Sequence, residues 1–86
     1  AVNNMLSVYP NPAREEITVQ LNNEWMAQKS VLSIYNTQGT LVYSKNYEKI
    51  LQPEIKIDIR SMAAGGYFIS IENDKMKSVG SFIKPE

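Results

Sequence analysis

Apolar and polar residues alternate with a period of two along most of the chain. Ile17-Thr18-Val19-Gln20-Leu21 and Ile55-Lys56-Ile57-Asp58-Ile59 show it most cleanly, and Leu32-Ser33-Ile34 repeats it. Successive side chains of a strand point to opposite faces, so this pattern predicts strands with one buried face. Tyr67, Ile69 and Ile71 alternate with Phe68, Ser70 and Glu72, and a last strand is expected over 76–84 with Gly80 as a bulge or close-packing point. Turn residues separate the runs. Asn36-Thr37-Gln38-Gly39 suits a short hairpin loop with Gly39 in the left-handed region, and Asn73-Asp74 suits a tight turn. Seven strands follow, at 5–9, 16–22, 31–36, 41–47, 54–60, 66–72 and 76–84. Asn23–Gln28 carries a candidate N-cap and helix formers, enough for a single helical turn. Strands recurring every eight to twelve residues predict an all-β fold, an Ig-like antiparallel β-sandwich.

Length and charge narrow the picture. The 86 residues make one domain, and a domain of this size hides roughly 60–65% of its unfolded surface. With no cysteine, its core depends on Ile, Val, Leu and Tyr; absence of cysteine fits a reducing cytosol and a secreted bacterial protein equally. Nine basic and nine acidic side chains cancel, leaving no basic excess for nucleic acid. No apolar run reaches the eighteen or so residues that span a bilayer. The chain does not begin with Met and opens without a signal peptide's charged and apolar regions, so residues 1–86 read as a domain excised from a longer protein.

Catalysis finds little support. There is no histidine to activate a serine or move a proton at neutral pH. Glu15 and Glu16 are adjacent and face opposite ways on a strand. Glu54 and Asp58 share a face but lie about 13 Å apart, too far for a glycosidase pair. Glu72-Asn73-Asp74 offers oxygen ligands without the spaced series of a calcium loop. No enzyme activity, metal or cofactor is expected. A rival reading is an adhesion or carbohydrate-binding module that presents Trp25, Tyr43, Tyr47 and Phe68 to sugars, although such aromatics also cover small cores.

Two motifs shape the backbone. In Tyr9-Pro10-Asn11-Pro12 each proline removes an N–H and restricts the residue before it, so this segment leaves the first strand in a rigid kink. The Asn11 side chain can then serve backbone groups left unpaired. In Met62-Ala63-Ala64-Gly65-Gly66-Tyr67 the glycines permit a tight corner. Tyr67 is placed to turn its hydroxyl back to backbone upstream, as a core residue.

These blocks together resemble the C-terminal sorting domain of the type IX (Por) secretion system, type A. The resemblance rests on Val8–Val19, on Leu32–Gly39 with Val42, on Ile57-Asp58-Ile59 leading to Met62, Gly65 and Tyr67, and on Ser81-Phe82-Ile83-Lys84. Met62 and Ala63 stand where the family usually has Leu and often Pro, Ser81 where Lys is frequent, and Pro85-Glu86 runs past the usual basic ending. The resemblance implies a secretion signal on an N-terminal cargo domain. That signal is recognised by outer-membrane translocon components and usually cut off by a sortase-like cysteine peptidase. It also implies passage through the periplasm of a Gram-negative bacterium to the cell surface or beyond. It points to Gly65, Tyr67, Phe82, Ile83 and Lys84 as the recognition end, with Tyr9, Pro10, Asn11, Pro12 and Gly39 as structural motif residues. Cleavage is expected near or before Ala1–Met5. If Ser78–Lys84 is an edge strand, recognition by strand addition is available, and so is self-association of the isolated domain by strand exchange.

Overall fold

The computed structural model describes residues 6–86. Expectations for Ala1–Met5, including the cleavage region and the first residue of the first strand, lie outside them. Among the described residues seven strands form two antiparallel sheets. They are β1 (Ser7–Tyr9), β2 (Glu16–Gln20), β3 (Ser30–Asn36), β4 (Leu41–Tyr47), β5 (Glu54–Asp58), β6 (Gly65–Glu72) and β7 (Lys77–Lys84). One sheet has the order β1-β2-β5, the other β4-β3-β6-β7. The all-β sandwich expected from the alternation is what forms.

The register explains the layers. Ile17 sits opposite Ile57 and Val19 opposite Ile55 in the three-stranded sheet. In the four-stranded sheet Leu32 faces Ile71 and Ile34 faces Ile69. All eight side chains are buried, together with Tyr67 and Phe82, between the two sheets. Truncating such an isoleucine or leucine to alanine typically costs about 2–5 kcal/mol.

Strand ends differ from the sequence reading where single bonds replace the ladder. Leu21 donates its N–H to the Pro53 carbonyl and Ile59 donates to Glu15, so both residues stay buried while β2 and β5 stop short of them. The short helix narrows to a 3-10 turn at Asn23–Trp25, capped by Asn22 accepting the Glu24 N–H at 3.0 Å. Trp25 is buried in the core, and Tyr43 and Tyr47 pack partly against it. Of the four aromatics considered for sugar binding, only Phe68 is exposed.

Both hairpin turns form around asparagine. Asn36 Oδ1 accepts the N–H groups of Gln38 and Thr40, and Gly39 takes φ +84°. Asn73 Oδ1 accepts those of Lys75 and Met76 in the same manner. These side chains do the work of a backbone acceptor, which is why asparagine suits the first turn position.

Candidate functional site: four motifs meeting at one end of the sandwich

The motif residues are scattered through the sequence, and the fold gathers them at one end. β6 and β7 pair so that Gly65 faces Lys84, Gly66 faces Ile83 and Tyr67 faces Phe82. This brings the glycine-tyrosine corner and the Phe82-Ile83-Lys84 block side by side. Tyr67 and Phe82 stack with centroids 5.2 Å apart and ring planes 17° from parallel. Both rings are buried. The Tyr67 hydroxyl donates to the Ala63 carbonyl at 2.5 Å, closing the corner as its position suggested.

The proline motif arrives from the other sheet. Both the Tyr9–Pro10 and Asn11–Pro12 peptide bonds are cis. Asn11 Oδ1 accepts the Ile83 N–H at 3.0 Å, and the Ala13 N–H donates to the Ile83 carbonyl at 2.9 Å. Asn11 thus serves a backbone far along the chain and not the prolines beside it. Nearer the middle of β7, Leu6 donates its N–H to the Val79 carbonyl at 2.8 Å. The approach is close: a Cβ on Gly80 would stand 2.8 Å from the Leu6 carbonyl oxygen and 3.1 Å from a Val8 methyl. Gly80 is therefore the close-packing point, and no bulge is needed there. β7 does lie at a sheet edge, yet positions 79 and 83 of that edge are already bonded to the amino-terminal segment.

Lys84 completes the arrangement. Its ammonium donates to the carbonyls of Ile59 at 2.8 Å, Arg60 at 2.9 Å and Met62 at 2.6 Å. An ammonium has three protons to donate, so these three acceptors use its donor capacity fully. The crossover from β5 to β6 is thereby tied to the end of β7. Beside it, Arg60 and Asp58 form an exposed ion pair at 2.8 Å. The Arg60 hydrogen bonds lower the Asp58 carboxyl to about 2. The hairpin motif joins as well: the Thr37 methyl is 3.3 Å from where a Gly66 Cβ would stand.

The five residues expected at the recognition end are thus neighbours, with different exposures. Tyr67 and Phe82 point into the core, and Lys84 is half-buried and committed to three carbonyls. Gly65 and Ile83 reach solvent, Gly65 at φ +149°. Ala13 and Thr37, which lie inside two of the motif blocks, and Gly80, expected as a close-packing point, belong to the same constellation; long-range geometry names their partners. Across the described residues no three His, Cys, Asp or Glu side chains gather as for a metal. The arrangement is suited to presenting a shape.

Comparison with known proteins gives the family and the fold. The family described as "Secretion system C-terminal sorting domain" matches residues 7–85. Among solved structures, a DUF3244 family protein from Bacteroides vulgatus with an immunoglobulin-like β-sandwich fold superposes with a TM-score of 0.72 at 20% identity. That match covers 92% of this chain and 83% of the other. Dimeric latent PorU from Porphyromonas gingivalis matches with a TM-score of 0.57 at 19% identity, over 92% of this chain and 9% of PorU. At such identities both likenesses speak for the fold. No curated protein matches the chain. The match across residues 7–85 bears out the resemblance carried by the sequence blocks: the chain belongs to the family of C-terminal sorting domains of type IX secretion.

Proposed function

We propose that this domain is the address of a longer cargo protein, recognised after folding. The cargo crosses the periplasm and then leaves through the outer-membrane type IX translocon, and a sortase-like cysteine peptidase afterwards cuts upstream of β1. The observation that carries this reading is the convergence of four separate motifs at one end of the sandwich through Asn11, Gly66, Ile83 and Lys84. A signal distributed in that way exists only in the folded domain. Ile83 and Gly65 are then the exposed parts of the recognition end, while Tyr67, Phe82 and Lys84 hold them in place.

The test is a secreted reporter fused to the full chain in a bacterium with type IX secretion. The intact domain should carry the reporter outside the cell, and deletion of Phe82–Glu86 should strand it in the periplasm. Wild-type export of the truncated fusion would refute the proposal. The rival reading, an adhesion or carbohydrate-binding module, is left with the exposed ring of Phe68 alone among its four aromatics. Specific retention of the isolated chain on glycans would favour it.

A further inference from the structure

The two outward faces of the sandwich are unlike. The three-stranded sheet presents Glu16, Gln20, Glu54, Lys56 and Asp58, with the Tyr9 hydroxyl donating to Gln20 and Glu54. On the four-stranded sheet the register places Leu41, Tyr35 and Phe68 in one row across β4, β3 and β6. Val79 and Ile83 continue the patch on β7. Their exposures are 51% for Leu41, 36% for Tyr35, 54% for Phe68, 50% for Val79 and 56% for Ile83. Serines 33, 44 and 81 lie among them. The strand charges of this face, Glu72 and Lys77, sit opposite one another at the far end of the β6–β7 ladder.

Scattered apolar residues on a surface need no explanation, but a contiguous row on one face marks an interaction site. The charge pattern limits what can cover it. With one self-neutralising pair and no basic cluster, the face offers nothing to anionic lipid or nucleic acid. The fitting partner is a protein surface that is itself uncharged and apolar at its centre. Size limits the occupant further. Four strands about 4.8 Å apart and eight residues at about 3.3 Å give a face of roughly 500 Å² in plan. A standard stable interface buries about 800 Å² per partner. A face of this size that is apolar but carries no charge to fix a register suits a contact that forms and releases.

The geometry points to this face as the surface through which the domain docks, briefly, on an apolar uncharged patch of the secretion machinery. The inference rests on the sorting reading above and extends it from the recognition end to the sheet beside it. Ile83 belongs to both. A transient contact suits an address, since a signal held tightly would block the next cargo.

The experiment uses the reporter fusion with the full chain. Phe68→Thr and Leu41→Thr, alone and together, replace apolar rings and methyls by a residue that strands accept. Lys56→Thr, on the opposite face, is the control. Thermal unfolding of each purified chain checks the fold, and Ile83→Thr replaces any variant that fails it. We expect the folded double variant to lose at least tenfold in export, with Lys56→Thr exporting like wild type. Equal export by wild type and the folded double variant overturns the docking face and leaves the sorting reading standing. Failure of the wild-type chain to export the reporter overturns both. Glycan retention that depends on Phe68, with export unchanged, also overturns the docking face.

Discussion

Asn11 Oδ1 accepts the backbone N–H of Ile83 at 3.0 Å across 72 residues of chain. Together with the Ala13 N–H on the Ile83 carbonyl, it occupies both backbone groups of one residue on the outer edge of β7. An unpaired strand edge is a template for another chain, and this contact covers part of it. Asn11→Ala should cost about 0.5–1.5 kcal/mol, the net value of a typical hydrogen bond. Asn11→Asp keeps the acceptor and should stay close to wild type. Urea unfolding measures the difference, and amide exchange at Ile83 should quicken in the alanine variant alone.

Lys84→Met keeps the apolar stem but leaves three carbonyls without their cation. A loss on the order of 1–3 kcal/mol is expected, the range for hydrogen bonds to charged groups. Lys84→Arg should rescue only part of it, because a planar guanidinium does not match the three-way geometry of an ammonium. Calorimetric unfolding of the three chains decides. If Lys84→Met unfolds like wild type, the ammonium is not holding the crossover.

Gly80→Ala puts a methyl 2.8 Å from the Leu6 carbonyl oxygen. Backbone must yield, and overpacking of this kind costs about 1–3 kcal/mol. The damage should be local, with faster exchange of the Leu6 amide that bonds Val79. Unchanged stability would mean the amino-terminal segment does not sit against β7.

Tyr67→Phe removes the hydroxyl that reaches Ala63 and keeps the ring stacked on Phe82. The expected loss is about 0.5–1.5 kcal/mol. Tyr67→Ala, which also empties the core, should lose about 3–5 kcal/mol by the usual cost of deleting a buried aromatic. Chemical denaturation of both variants separates the bond from the packing.

The Asp58–Arg60 pair makes a pH prediction. Hydrogen bonds from Arg60 hold the Asp58 carboxyl down at about 2. Its folded value lies below the ordinary unfolded value near 3.9. The contribution is therefore present above about pH 4 and lost as pH falls towards 2. Both side chains are well exposed, so the effect is small. Asp58→Asn should flatten the acid limb of the stability profile slightly; a steeper limb would contradict the sign.

Period-two alternation made the strands legible because each of the central ones has one wet and one dry face. The Tyr67 corner and the Gly39 turn were legible for a related reason: their partners are three or four residues away. Asn11, Gly80 and Lys84 were not readable in the same sense. Their partners lie from 22 to 74 positions off in sequence, and no local pattern names them. Trp25 stays open in the sequence for a different reason. Its residue type allows both display and core cover, and its 3-10 turn rolls it into the core. The motif blocks could be recognised as belonging together before there was any way to see that they touch.

The triple bond set of Lys84 has a consequence for the order of synthesis. Ile59, Arg60 and Met62 leave the ribosome well before residue 84, and Asn11 earlier still. None of these groups finds its partner until β7 has been made. A nascent chain that stalls before β7 carries an unclosed sandwich, with an open sheet edge and a loose crossover. Closure of this domain therefore waits on its last strand, which locks the amino-terminal segment and the crossover in one step. Cargo fusions truncated at successive positions through β6 and β7 should show export switching on over the last few residues, in step with protease resistance of the domain.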